Sequence, residues 1–325
     1  IKILLQFADL IRPDLNIITN AYLLLGKIDF IRAKAIFANR INATLPEIQN
    51  TTIINWYKAK HPLLVITNKE HNKEVVPADI RLDENNRILI ISGPNAGGKS
   101  VCMKTVCLNQ YMLQCGLLIP VHNDSVSGVF KNIFLEIGDD QSLENDLSTY
   151  SSHLLNISFF LKYSNNETLF FIDEYGAGTE PSLGGAIAEA ALLELNNKKS
   201  FGVVTTHYAN IKLLADNNNG IINASMLYDS KKLKPLYILK TGNPGNSFAF
   251  EIAAKIGFPK DILEIAASKT LNSHLNFEKQ LNEIEAKNEQ IQKKQQELEI
   301  ADDFLKEIIE KYKILRDDIE KNKTL

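Results

Sequence analysis

Gly93-Pro94-Asn95-Ala96-Gly97-Gly98-Lys99-Ser100 follows the apolar run RILIIS directly, and a helix-compatible stretch comes next. The segment satisfies G-x-x-x-x-G-K-[ST], with strand, loop and helix in the order that a phosphate cradle needs. Glycines let the backbone curl until its N–H groups face phosphate oxygens, and the helix N-terminus adds its dipole. Lys99 is expected to bridge the β- and γ-phosphates, and the Ser100 hydroxyl to hold Mg2+. Further along, Leu169-Phe170-Phe171-Ile172 ends in Asp173-Glu174. A buried strand ending in adjacent carboxylates suits metal-assisted nucleotide hydrolysis, with Asp173 in the Mg2+ shell and Glu174 orienting or deprotonating the attacking water. A third run, residues 201–205, closes with Thr206-His207. Ligands of parallel sheets bind beyond the carboxyl ends of the strands, so His207 should share that crevice and hydrogen-bond a γ-phosphate or the attacking water. Together these three strand ends describe ATP hydrolysis.

Leu147-Ser148-Thr149-Tyr150-Ser151-Ser152-His153 sets four short hydroxyls and an imidazole at the head of another helix-compatible run. An N-cap uses one hydroxyl. Helix N-termini furnished with hydroxyls bind anions, and the anion this chain implies is the phosphate tail of ATP. That tail already has its loop in the chain. Ser148 and Thr149 are therefore expected to serve the nucleotide of a second copy, in a head-to-tail composite site.

Such residues need a scaffold that brings strand ends together. From residue 87 to about 268, short continuous apolar runs alternate with helical patterns, which predicts an α/β fold with a parallel-rich buried sheet covered by helices. The strands are expected at 88–91, 169–172 and 201–205. Upstream, Ile18, Tyr22, Leu25, Ile28, Ile31 and Ala35 recur at helical spacing within residues 1–40, as in one arm of a helical bundle. Residues 42–86 are punctuated by Pro46, Pro62 and Pro77 and read as loops and edge strands, with short apolar runs such as 63–66. After Ser268 the composition shifts to Lys, Glu, Gln and Asn. Phe277, Ile284, Ile291, Leu298, Leu305, Tyr312 and Ile319 then stand seven apart, which favours a supercoiled helix. The companion seam is poorer, because Leu281 and Ile309 are apolar whereas Asn288, Gln295, Asp302 and Arg316 are not. A long arm is expected there rather than a stable zipper.

Composition bounds the rest. A chain of 325 residues with 45% hydrophobic content can bury two or three structural units. Its net charge of -3 lacks the positive field of an autonomous duplex-binding domain, so nucleic-acid contact must be local or come from another segment. Cys102, Cys107 and Cys115 have no metal-ligand spacing and suit a reducing, cytoplasmic setting. There is no basic-then-apolar leader and no bilayer-length apolar run. The chain opens on Ile1 and is expected to be a piece of something longer.

GPNAGGKS, DLSTYSSH, FFIDEYGAGTEP and VVTTHY, in this order and at these intervals, resemble the ATPase domain of the MutS family. That is an ABC-type ATPase which dimerises with two nucleotides sandwiched between subunits. HPLL at 61–64, EIGDDQSLENDLSTYSSH, and GNPGNSFAFEIAAKIGFP at 242–259 resemble the MutS-like branch of recombination control and ribosome rescue more than the mismatch-repair branch. The resemblance implies that 93–100 is the nucleotide loop and that Asp173 with Glu174 is the metal and water-activating pair. It also implies that Ser148 and Thr149 contact the partner's γ-phosphate, that 176–181 crosses the dimer interface, and that His207 is the switch histidine. Two departures, Tyr150 where the family often has Phe and Glu180 where the branch often has Asp, are conservative. Phe134-Leu135-Glu136 spells the mismatch-reading Phe-x-Glu but lies inside the ATPase region. The Smr nuclease domain that usually ends this branch has no counterpart in these residues, so nuclease activity is not expected of them.

The expected organisation is a helical lever segment over 1–45, a P-loop ATPase domain over 46–270 and a coiled-coil arm over 271–325. ATP and Mg2+ are the expected ligands of a homodimer with composite sites. The dimer would open and close as a clamp on branched or mismatched DNA in recombination control or repair. The rival expectation is an ATP-gated factor that rescues stalled or collided ribosomes. A transport ATPase fits less well, since lever and arm segments stand where membrane-coupling features would be. No aromatic is placed by spacing to stack on the adenine.

Overall fold

Apolar runs buried on both sides alternate with helices along the chain in the order that a covered sheet requires. The computed structural model describes residues 2–94, 97–138, 149–176, 180–229, 234–245, 253–254 and 256–269, with scattered positions from 294 to 311. The chain divides into two compact units, Ile1–Ile252 and Ala253–Leu325.

In the first unit, α1 (Lys2–Ile11) and α2 (Leu15–Arg40) flank a 3-10 turn over Arg12–Asp14. Pro13 sits in that turn, where it lacks the N–H that an unbroken helix would use. The expected stripe Ile18, Tyr22, Leu25, Ile28 and Ile31 is 51 to 75% exposed. The helix is anchored at its far end, where Ala38 is buried and Lys34 Nζ donates to Gly116 O at 3.0 Å.

Residues 42–86 hold β1 (Glu47–Ile48), β2 (Ile54–Ala59), α3 (Pro62–Glu70) and β3 (Ala78–Leu82). The apolar run 63–66 is thus helical, not an edge strand. Pro62 occupies the first turn, where a missing N–H costs nothing, and so short an apolar run carries no period that separates helix from strand.

Next come β4 (Asn86–Ser92), α4 (Lys99–Gln114), β5 (Val126–Ser127), β6 (Asn132–Glu136), α5 (Thr149–Tyr163), β7 (Thr168–Ile172) and α6 (Pro181–Asn197). β8 (Phe201–Thr205), α7 (Ala209–Asn217), β9 (Gly220–Asp229) and β10 (Lys234–Thr241) complete the described part of the unit. β4, β7 and β8 are the strands expected from the sequence. The large sheet runs β10-β9-β4-β8-β7-β6, parallel throughout except for the β9–β10 hairpin. A smaller sheet runs β1-β5-β2-β3.

The continuous apolar runs divide their side chains between two cores. Leu89, Ile91, Leu169, Phe171 and Val203 face Met103 and Val106 of α4 and Trp56 and Ile80 of the small sheet. Ile88, Ile90, Phe170, Ile172 and Val204 face Phe160 of α5, Leu192 of α6 and Ile211 of α7. Both cores bury the strands, and every residue of β7 and β8 is buried. The parallel strands β4, β7 and β8 end on the same side of the sheet, so the residues that follow them share one rim.

In the second unit α8 (Lys260–Lys269) is described. Leu298 and Leu305 of the heptad positions are helical and exposed, and Lys306 pairs with Asp302 at 2.9 Å. Phe277, Ile284, Ile291, Tyr312 and Ile319 lie outside the described residues. The three cysteines are free, and among the described residues no helix is long and apolar enough to cross a membrane.

Gly202 of β8 tests the sheet packing, because a Cβ there would stand 2.3 Å from the ring of Phe170 on β7. Gly202→Ala is expected to destabilise the fold by about 1–3 kcal/mol in urea unfolding, as overpacked cores do. Adding Phe170→Leu should restore part of that loss, and purely additive effects would contradict the assigned contact.

Candidate functional site

The loop between β4 and α4 is shaped by its glycines. Gly93 (φ +126) and Gly98 (φ +92) adopt the left-handed region, where a side chain would be strained. A Cβ on Gly93 would lie 3.2 Å from Met226 O, and one on Gly98 3.1 Å from Tyr237 Cδ1. Gly97 N donates to Pro94 O at 2.9 Å and closes the turn. Asn95 and Ala96 lie outside the described residues. Lys99 opens α4 with its side chain folded back under the loop, 4% exposed, and Nζ donates to Gly93 O at 3.0 Å. Burial pulls its pKa from 10.5 down to about 8; Glu174 and Asp173 oppose this, and Lys212 adds to it.

Asp173, at the end of β7, joins the strand ends. Its Oδ1 accepts from Ser100 Oγ at 2.9 Å and also from Thr205 Oγ1 at the end of β8. Thr205 Oγ1 in turn accepts the amide of Glu174 at 2.8 Å. Backbone bonds lock the same rim: Asp173 N donates to Glu136 O, Tyr175 N to Thr205 O, and Thr206 N to Ile91 O. Glu174 is exposed and holds φ +49, a conformation non-glycine residues rarely adopt and one that clusters at functional sites. His207 presents one face to solvent. The protein behind it, then Lys99 and Lys212, disfavour the imidazolium and lower its pKa from 6.5 to about 4, against the pull of Asp173. The ring is neutral at physiological pH.

The structure therefore brings Gly93, Pro94, Gly97, Gly98, Lys99, Ser100, Asp173, Glu174 and His207 to one crevice. Ser148 lies outside the described residues, and Thr149 is described as the first residue of α5 without its side chain. Of 176–181, the residues 177–179 lie outside the description. Glu180 caps α6, its carboxylate accepting from Ser182 N at 3.1 Å and Leu183 N at 2.9 Å, so the longer acid still serves the helix start.

Ser100 Oγ and the Asp173 carboxylate are hard oxygen donors 2.9 Å apart. That set suits Mg2+, which takes few protein oxygens and fills its octahedron with phosphate and water. The glycine turn, the helix N-terminus and the Lys99 ammonium suit a polyphosphate.

Several residues of this region were not legible from spacing. Thr205 is one. Lys212 of α7 is another, 5% exposed, with Nζ donating to Gly245 O at 3.0 Å; Gly245 N donates to Ser92 Oγ at 2.6 Å, beside Gly93. Glu136 and His153 form a pair at 3.0 Å, 7% and 16% exposed, with Asn156 Nδ2 on the second carboxylate oxygen. This pair ties α5 to the end of β6, next to Asp173. A cavity of about 440 Å3 adjoins Gly98, lined by Leu64, Val75, Val76, Val101 and Tyr237 among others. Its walls come from six separate elements, β2, α3, β3, α4, β9 and β10, so no local sequence pattern announces it.

Comparison with known proteins places the chain in a family. The model of MutS domain V matches residues 89–275. A protein named Endonuclease MutS2 from Clostridium kluyveri is 37% identical over 311 residues, 96% of this chain and 39% of that protein. The namesake from Caldicellulosiruptor saccharolyticus is 39% identical over 300 residues, 92% of this chain and 37% of that protein. The one from Finegoldia magna is 41% identical over 283 residues, 87% of this chain and 35% of that protein. The chain thus spans less than two fifths of the length of these relatives.

The charge arrangement predicts how His207 titrates. In an NMR titration its pKa should fall near 4 in the native chain, should rise on Lys99→Met, which removes a cation, and should fall further on Asp173→Asn, which removes an anion. The unfolded chain takes this proton first, so His207 lowers stability as pH falls from about 6.5 towards 4. A native pKa of 6.5 would contradict the assigned surroundings.

Proposed function

The chain belongs to the MutS family, whose domain V it matches over residues 89–275, and on that premise we propose that it is a homodimeric ATPase that works as a nucleotide-driven clamp on branched or mismatched DNA. The observation that carries the reading is the single rim on which Lys99, Ser100, Asp173, Glu174 and His207 meet. The loop and Lys99 hold the phosphates, and the base enters the cavity beside Gly98. Ser100 and Asp173 would hold Mg2+, which when bound would supply charge neutralisation to the phosphates. Glu174 orients the attacking water and accepts its proton. A neutral His207 hydrogen-bonds the γ-phosphate or that water without adding a charge.

Ser148 and Thr149 contact the γ-phosphate bound by the partner copy. The closed dimer is then favoured while the γ-phosphate exists and loses that differential contact on hydrolysis. The Glu136–His153 pair supports this reading, since it links the start of α5 to the end of β6, where Glu136 O accepts the amide of Asp173. Nuclease activity, the activity named for the relatives, is not assigned to these site residues. A cytoplasmic setting and a coiled-coil arm over 271–325 belong to the same proposal.

Glu174→Gln should retain ATP binding and slow steady-state hydrolysis by about 100-fold or more, the scale of a lost general base. Unchanged turnover would remove Glu174 from that role. For the composite site, Lys99→Ala chains mixed with Ser148→Ala chains should regain part of the activity that neither has alone, since a mixed dimer keeps one intact site. No recovery would count against sharing between copies. For the substrate, salt-titrated binding to duplex DNA, branched DNA and ribosomes with and without ATP should show nucleotide-dependent preference for branched DNA. Preference for ribosomes would redirect the clamp to them.

A further inference from the structure

The turn that follows β10, residues 242–245, is tied down at both ends. Gly242 N donates to Asn223 O of β9 at 2.8 Å, and Gly245 N donates to Ser92 Oγ at the end of β4 at 2.6 Å. Ser92 Oγ in turn donates to Ala224 O at 3.2 Å, so one hydroxyl joins β4, β9 and the turn. Gly245 is buried, and a Cβ on it would lie 3.1 Å from both N and Cα of Gly93 and 3.0 Å from Ser225 Cβ. The first residue of the phosphate loop is therefore packed against this turn as well as against Met226 of β9.

α7 supplies the remaining fastening. Lys212 Nζ donates to Gly245 O at 3.0 Å, while Lys212 O accepts Asn223 Nδ2 at 2.7 Å. The contacts close a ring that runs from Lys212 through Asn223 and Gly242 along the turn to Gly245, and so back to Lys212. Burying an ammonium costs more than burying an apolar chain of the same length, so what the site gains from Lys212 is its charge-assisted bond and not its bulk. The side chain is only 5% exposed, so its effect on a ligand passes through Gly245 and the loop.

We propose that Lys212 is a positioning residue for the phosphate loop, which draws the 242–245 turn onto Ser92 and Gly93 and so holds the loop in the curl that receives phosphate. This rests on the ATP-binding reading above and deepens it. The contact lies at the phosphate end, so its loss should weaken every polyphosphate ligand by one common factor, whether or not a nucleoside is attached. Glu174 and His207 follow β7 and β8, outside the ring, so turnover of ATP once bound should be preserved.

The test is competition of ATP and of inorganic tripolyphosphate, each with Mg2+, against a fluorescent ATP analogue on the full chain. Lys212→Met removes the donor. Gly245→Ala keeps the cation and disturbs the same contact from the other side, and it decides the matter alone if Lys212→Met does not fold. Each variant should weaken both ligands alike by about 10-fold, the size of one lost hydrogen bond to a charged group. The double variant should stay within about twofold of the weaker single one, because the two changes break one contact. In steady-state hydrolysis KM for ATP should rise while kcat stays within about threefold, as for a lost interaction made equally in ground and transition states. By NMR the His207 pKa should rise in Lys212→Met and hold in Gly245→Ala, since only the first removes a cation. Native affinity in Gly245→Ala would reduce Lys212 to a distant charge and overturn the assignment, as would a lowered melting temperature with both ligands bound normally. Loss of ATP with tripolyphosphate retained would overturn it too. A native chain that binds neither ligand would instead bring down the ATP-binding reading, and this inference with it.

Discussion

The Asp173 carboxylate, with hydroxyls from two other elements on one of its oxygens, is the contact on which the site depends. A half-buried carboxylate needs hydrogen-bond donors, and here Ser100 from the start of α4 and Thr205 from the end of β8 provide them. The two bonds hold the phosphate loop, the end of β7 and the end of β8 at fixed separation. Thr205 extends the chain of contacts by accepting the Glu174 amide, so Glu174, proposed to activate water, is held by the residue that also bonds Asp173, the proposed metal ligand. Buried strands behind this node leave the rim little freedom to spread, because the residues of β7 and β8 are packed on both faces.

Around that node the charges suit an anion. Lys99 and Lys212 are both buried, and each donates to a glycine carbonyl of the loop region, Gly93 and Gly245. Burial makes the ammonium of Lys99 easier to deprotonate, and the nearby carboxylates only partly offset this. A polyphosphate would restore what the carboxylates leave undone. Burial, and after it the same cations, lower the pKa of His207, which leaves it a hydrogen-bonding group rather than a competing charge.

Much of the fold was legible because it is local. β4, β7 and β8 coincide with apolar runs too long and too uniform for loops, and the strand–loop–helix order around Lys99 follows from residues adjacent in the chain. Leu63 to Ile66 misled because a run of that length lacks a period, and Pro62 decided the matter by starting a helix. Helical spacing in α2 was read correctly as helix, yet the stripe it marks is exposed among the described residues. Period reports which face could be buried and says nothing of whether a partner covers it.

The sequence by itself determined the phosphate loop, the carboxylate pair and the histidine at a third strand end, because each is a short pattern whose chemistry is carried by its neighbours in the chain. The tertiary structure alone decided that Thr205 joins Asp173, that Glu136 meets His153, that Lys212 comes to lie beside Lys99, and that a bulge turns Tyr237 onto Gly98. Those contacts join residues from separate elements, and their distances depend on sheet order and on backbone angles such as φ +57 that no spacing rule encodes. Chemistry that resides in one turn of chain can be read from the chain, whereas chemistry shared between strands exists only once the sheet has put them side by side.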